Sequence, residues 1–235
     1  MLFVSLIRSR RWVAVGTLAM LAACSSTTAP WLDGTAQWHE VTLPGKRATV
    51  YRPEIKDGRA AIRAEADASA SLWRRKVDIA PERLVDVNWS WWVDGAIPSA
   101  DLLDADHSDA PARIVFAFDG DRSRLPQRTR MMFELARTLT GEEPPYATLM
   151  YVWSKDLPVD TLVKSHRSDR VRKIVLDGGE ASLRRWRDHR RNVAADYERV
   201  FGEPPGRLIG VAVMTDADNT GERARAWYGP IDLPR

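Results

Sequence analysis

Leu84-Val85-Asp86-Val87-Asn88-Trp89-Ser90-Trp91-Trp92-Val93-Asp94 alternates residue by residue. Val85, Val87, Trp89, Trp91 and Val93 fall on one side, and Asp86, Asn88, Ser90, Trp92 and Asp94 on the other. Successive side chains of a strand point to opposite faces, so this period of two predicts a half-buried β-strand. Residues 58–67 repeat the pattern, with Ala60, Ile62, Ala64 and Ala66 facing one way. Residues 112–118 set Ile114, Phe116 and Phe118 on a common side. Residues 146–153 and 208–214 are apolar on both faces, as central strands covered on both sides are. Weaker alternation over residues 37–43, 47–52, 71–79 and 171–176 completes the set.

Two helices interrupt these strands. Met132, Leu135, Ala136 and Leu139 recur at helical spacing ahead of Gly141. Val193, Tyr197, Val200 and Phe201 do the same ahead of Gly202, with Pro204 and Pro205 beyond. A glycine just past the last periodic residue is a helix stop. Eight or nine short strands with two minor helices, and no regular strand–helix alternation, predict an all-β fold. The expected architecture is an antiparallel β-sandwich of jelly-roll type, similar to carbohydrate-binding modules.

The N-terminus carries an address. Arg8, Arg10 and Arg11 precede an apolar run from Trp12 to Ala23, which is signal-peptide architecture and too short to span a bilayer comfortably. Leu21-Ala22-Ala23-Cys24 resembles the lipobox of bacterial lipoproteins, in which the cysteine is acylated and becomes the first residue of the mature chain. The expected organisation is therefore a cleaved leader (1–23), a lipidated tether (24–35) and a single β-sandwich domain (36–235). Ser25 after the cysteine implies, by the same resemblance, an outer-membrane anchor facing the periplasm. The whole chain has a formal charge of +3, but residues 1–23 hold three arginines and no acid. The remainder carries 32 Lys+Arg against 32 Asp+Glu, so a global basic field for nucleic acid is absent. Acylation of Cys24, the only cysteine, leaves no thiol for disulfide or metal chemistry.

Few residues announce chemistry. The chain lacks a Gly-x-Ser-x-Gly elbow, a Walker loop and a Gly-x-Gly-x-x-Gly turn, and His39, His107, His166 and His189 are dispersed. The sharpest candidate is residues 215–222, Thr-Asp-Ala-Asp-Asn-Thr-Gly-Glu. Asp216, Asp218 and Thr220 at spacing two, then Gly221, copy the first half of a calcium loop, although position twelve would be Trp227 rather than a glutamate. The same residues also read as a turn in which Asn219 and Glu222 cap a short helix. A second cluster, Asp104-Ala105-Asp106-His107-Ser108-Asp109, leads to Arg113; it is either a polar-ligand or cation site or a solvated loop with Asp109 paired to Arg113. Trp92, alone on a polar strand face, either stacks a planar ligand such as a sugar or lies beneath a loop or helix. Residues 184–191, rich in arginine around Trp186, form a basic patch or a solvated face balanced by nearby acids.

Several motifs recur in order: Trp38-His39-Glu40-Val41-Thr42-Leu43-Pro44-Gly45-Lys46, Val87-Asn88-Trp89-Ser90-Trp91, Ala112-Arg113-Ile114-Val115, and Pro145-Tyr146-Ala147-Thr148-Leu149-Met150-Tyr151-Val152-Trp153. Ala195-Asp196-Tyr197, Phe201-Gly202 and Met214-Thr215-Asp216-Ala217-Asp218-Asn219-Thr220 follow. Together they resemble the exported bacterial family catalogued as domain of unknown function 3047, over roughly residues 36–232. The expected function is a lipid-anchored envelope module that binds a polar ligand such as a glycan through Trp92, Asp109 and Arg113. Asp216, Asp218 and Thr220 are the candidate metal ligands, with calcium the candidate cofactor. The alternatives are an envelope glycan hydrolase with paired carboxylates and an accessory lipoprotein acting through protein contacts.

Overall fold

The computed structural model describes residues 38–166 and 168–234. The leader, Cys24 and the tether to residue 35 lie outside the described residues. In chain order the elements are β1 (His39–Thr42), β2 (Val50–Lys56), β3 (Arg59–Asp67), β4 (Ser71–Ile79), β5 (Val87–Val93), β6 (Ala110–Phe118), α1 (Gln127–Thr140) and β7 (Ala147–Ser154). Then come β8 (Leu162–Lys164), β9 (Val171–Gly178), β10 (Trp186–Arg191), α2 (Val193–Phe201), β11 (Leu208–Asp216) and β12 (Arg223–Tyr228).

The strands form two stacked sheets. One has seven strands in the order β1-β4-β11-β6-β7-β9-β8, the other five in the order β10-β5-β12-β3-β2. Alternation decides what lies between them. Val87, Trp89, Trp91 and Val93 of β5 meet Ala112, Ile114, Phe116 and Phe118 of β6 and Leu149, Tyr151 and Trp153 of β7 in a single apolar layer. Trp91 and Trp153 are fully buried, and their indole N–H groups donate to Asp177 Oδ2 at 3.0 Å and Ser182 Oγ at 2.7 Å. A large aromatic is tolerated at such depth because its one polar atom is satisfied.

The sandwich expected from the alternation therefore forms, with three differences. One pair, β7 with β9, is parallel; the intervening chain makes the edge strand β8 and returns inside it. Residues 184–191, read as a patch or solvated face, contain β10, an edge strand paired with β5. Its cations are consumed by acids: Arg187 reaches Asp177 at 3.0 Å, Arg190 reaches Asp86 at 2.5 Å and Arg191 reaches Asp196 at 2.8 Å. The third difference is α1, which ends as expected at Gly141 with φ +73°, yet its apolar stripe does not pack. Met132, Leu135 and Leu139 are exposed, and Phe133, one step around the helix, makes the contact with the core. The other helix behaves as its spacing implies. Asn192 Oδ1 caps α2 by accepting from Ala195 N at 2.9 Å, Val193 and Tyr197 are buried, and Gly202 closes it at φ +71°.

Candidate functional site: a charge-floored cleft

On the face of the seven-stranded sheet turned away from the core, the central strands carry a mixed surface. Register sets it up: Arg113 of β6 lies opposite Met214 of β11, and Lys173 of β9 opposite Met150 of β7. The four side chains line the floor of a cleft of about 300 Å³, with Lys46, His166 and Asp218 also on its walls. Arg113 and Lys173 are only 3% and 5% exposed. Burying a cation demands partners, and one residue of the loop before β6 supplies both. The Arg113 terminal nitrogen donates to the Ser108 carbonyl at 2.5 Å, and Lys173 Nζ donates to the Ser108 hydroxyl at 2.8 Å.

The carboxylates arrive from two places. β11 ends at Asp216, just past a register shift against β6, and Asp216 Oδ1 accepts from Arg113 Nε at 2.8 Å and from Ala110 N at 3.1 Å. Bulges of this kind commonly re-aim a side chain next to a site. Asp109, almost wholly buried, accepts from Thr220 N and Thr220 Oγ1, both at 2.8 Å, and from Asn219 N at 3.3 Å. It thereby staples the 217–221 turn to the start of β6. Asp218 pairs with Lys46, which follows the Pro44-Gly45 turn after β1. One oxygen from each of Asp109, Asp216 and Asp218 lies within 4.8 Å of the others. Burial pushes the Asp216 carboxyl up, Arg113 pulls it down, and Asp109 and Asp218 push it up again; the balance is about 6.

The structure thus brings together four of the residues that sequence singled out, Asp109, Arg113, Asp216 and Asp218, but rearranges their partners. Arg113 binds Asp216, not Asp109. The 217–221 segment is a turn without a helix, and Glu222 Oε1 accepts from Ser99 N at 3.1 Å. Thr220 gives its hydroxyl proton to Asp109, so the oxygen expected as a metal ligand acts as a donor. The 104–109 cluster divides: Asp104 and His107 form an exposed pair at 2.9 Å, and only Ser108 and Asp109 turn inward. Lys46 and Lys173 were not singled out by sequence. Lys46 carries no signal except its place after a Pro-Gly turn, and Lys173 looks like any strand residue until the register is known.

Trp92 lies elsewhere. It projects from the outer face of the five-stranded sheet, 5% exposed, edge-on to Trp227 at 4.8 Å between ring centres, with Lys56 Nζ 3.8 Å above its ring. What covers it is neither loop nor helix but neighbouring side chains, Trp186 and the Lys56 stem. The sandwich core separates it from the cleft, so it cannot join Asp109 and Arg113 around one ligand. Two larger clefts, of about 470 and 360 Å³, are lined respectively by the strand ends around Asp94 and Arg225 and by the 97–103 and 153–157 loops. In the first, Arg225 is paired with Asp94 at 2.5 Å at the surface.

The donor set fits calcium poorly. A calcium ion takes six to eight oxygens, whereas here Asp216 Oδ1 is held by Arg113 and a backbone N–H, Asp109 by three donors from the turn, and Asp218 by Lys46. Two of the three carboxylates are already neutralised, Asp216 by Arg113 and Asp218 by Lys46.

Fold and site together define a two-sheet β-sandwich with a charge-floored cleft on its larger sheet. The chain belongs to the family described as "Protein of unknown function (DUF3047)", whose model matches residues 36–232. Among solved structures, endoglucanase 3 of Trichoderma harzianum, from family GH12, is similar at 7% identity and a TM-score of 0.43, over 85% of this chain and 99% of that one. No curated protein matches the sequence.

Proposed function

We propose that this protein is a lipid-anchored envelope module, held by Cys24, whose cleft binds a small polar ligand bearing both hydrogen-bond donors and acceptors. The observation that carries the reading is the setting of two nearly buried cations, Arg113 and Lys173, beside the Asp216 and Asp218 carboxylates in an open depression, with Asp109 close to both carboxylates but lining the neighbouring cleft. Charged groups are costly at such depth, and a sheet face needing only to be covered would be built from apolar residues. Lys46 and Asp218 stand at the rim with side chains 31% and 9% exposed, where a ligand exchanges hydrogen bonds with them most easily. The cleft is lined without Trp, Tyr or Phe, so a sugar would be held by its hydroxyl or acidic groups, not by ring stacking.

A hydrolase reading draws on Asp216, raised to about 6 beside two other carboxylates. Against it, the Asp216 and Asp218 side chains are 6% and 9% exposed, Asp109 is buried, and all three are committed to internal donors. Acid and base on opposite sides of a scissile bond need two accessible carboxyls. Binding is therefore the better supported function. Isothermal titration of the mature protein with peptidoglycan fragments and acidic envelope oligosaccharides tests it. Heat of binding that disappears in Lys46→Ala and Asp218→Ala, with folding retained, is the expected result; binding unaffected by both substitutions places the ligand elsewhere.

A further inference from the structure

Helix α1 is anomalous for a helix of fourteen residues. Only Thr129, Phe133 and Ala136 are half-buried, and no residue is fully buried. Met131, Met132, Leu135 and Leu139 are 65%, 46%, 61% and 71% exposed. Their spacing gathers them on one side of the helix, away from Phe133. An apolar face left in water costs free energy, and contiguous patches of this kind mark interaction surfaces. The charge along it is mostly positive. From Arg122 to Thr140 the chain carries Arg122, Arg124, Arg128, Arg130 and Arg137 against Glu134 alone. Arg122, Arg124 and Arg137 have acidic neighbours; Arg128 and Arg130, both exposed, have no carboxylate within 4.0 Å among the described residues. Arg128 falls inside the apolar face, one turn before Met131 and Met132.

The place where the chain enters the fold supplies the second observation. Glu142, two residues past α1, accepts from Arg74 at 2.8 and 2.9 Å, and the same Arg74 nitrogen lies 3.4 Å from His39 Nε2. The described chain starts at Trp38, so it emerges beside the end of α1.

We propose that the Met131–Met132–Leu135–Leu139 face of α1 docks on an anionic lipid bilayer. The proposal rests on the anchored reading above, in which Cys24 is the lipid attachment point. Residues 24–37 extend to at most about 50 Å, so the anchor keeps the chain entry, and α1 beside it, within that distance of the membrane. A basic helix with one apolar side suits the interface of phosphatidylglycerol-containing membranes, where the apolar residues enter the acyl boundary and arginine meets phosphate. Tethering makes even a weak contact count, because it raises the local concentration of the surface. Docking also orients the cleft. β6 runs from the cleft to the α1 end of the sandwich, so a domain resting on α1 turns the cleft away from the bilayer.

The test uses the full chain, exported and extracted from host membranes. Mass spectrometry of its N-terminus first asks whether Cys24 is acylated, which tests the anchor alone. The protein is then placed in phosphatidylethanolamine–phosphatidylglycerol vesicles with an environment-sensitive fluorophore on Leu135→Cys or, as the comparison, on Asp57→Cys in the exposed β2–β3 turn. The expected result is a blue shift and several-fold less iodide quenching at position 135 than at 57, weakened in phosphatidylcholine vesicles. Equal quenching at both positions with Cys24 acylated overturns docking and leaves the anchor standing. Protection at 135 that appears in detergent and grows with protein concentration assigns the face to a second copy and overturns the lipid proposal. If Cys24 is unmodified the anchor falls, and the two chains, remade with Cys24→Ser so that only position 135 or 57 takes the label, decide docking when mixed with vesicles.

Discussion

Asp216→Asn isolates the electrostatics of the cleft in one titration. Asparagine keeps an oxygen to accept from Arg113 Nε and Ala110 N, which Asp216 Oδ1 does at 2.8 and 3.1 Å, and replaces the ionisable half of the carboxyl with an uncharged NH2. In the folded protein the carboxyl titrates near 6 against an ordinary aspartate value of 3.8. At about 1.36 kcal/mol per pH unit, that gap is worth roughly 3 kcal/mol. The sign follows from which state holds the proton more tightly. Between pH 6 and 4 the native protein binds a proton that the unfolded chain does not, so this group adds stability as pH falls. Above pH 6 both states are ionised and the full cost of the buried charge is present. The wild-type protein should therefore gain about 2 kcal/mol relative to Asp216→Asn between pH 7.5 and 4.5, the part of the range those two values span. Urea unfolding of both proteins at several pH values measures it, the difference between them cancelling the titrating groups that do not interact with Asp216. Parallel stability curves, or a wild-type protein that loses ground to the variant on acidification, would refute the assignment of Asp216 as a buried carboxyl with a raised pKa.

Other outcomes follow from the same contacts. At Asp177 burial pushes the carboxyl up, but hydrogen bonds from His189 and Arg187, with a further one from Trp91, outweigh it and hold it below the usual value; its stabilising contribution is present at neutral pH and lost on acidification. Asp177→Ala should cost about 3 kcal/mol in chemical denaturation at pH 7, because it strands the Trp91 N–H and the Arg187 guanidinium. Trp92→Ala should cost roughly 3–5 kcal/mol although the residue lies on an outer sheet face, and an effect below 1 kcal/mol would contradict its packing against Trp227. Millimolar calcium should leave the thermal midpoint within about 1 °C, since a site saturated a hundredfold over its Kd would add about 2.7 kcal/mol and raise it by several degrees. Leu135→Ser with Leu139→Ser should change unfolding free energy in solution by less than about 0.5 kcal/mol per site, whereas Phe133→Ala should cost markedly more.

The strands legible in sequence are those whose two faces differ in polarity or are both apolar. Residues 84–94 and 112–118 announce β5 and β6 because the pleat turns burial into a period of two. Trp186–Arg191 has no such contrast, since β10 is an edge strand whose charged residues are matched by opposite charges from other elements; its sequence alone shows only charge. β12 and the three-residue β8 escaped for related reasons: alanines alternate with arginines in β12, a weak contrast, and β8 is too short for a period. The helical spacing of α1 was visible, but not which side of the helix would meet the sandwich. The cleft divides similarly. Asp109, Arg113, Asp216 and Asp218 stand out as polar residues flanking apolar strands, while Lys46 and Lys173 acquire a role only through register.

By itself the sequence determined the type of most elements, the two-sheet class and the short list of acidic residues, because these depend on neighbours two to four positions away along the chain. Tertiary structure decided that β11 lies between β4 and β6, with β7 and β9 beyond. That strand order sets residues 103 positions apart, Arg113 and Asp216, at 2.8 Å, and puts Trp92 on the far side of the core. Pairing between distant strands is chosen by the cooperative burial of both sheets at once, and local periodicity carries no record of that choice.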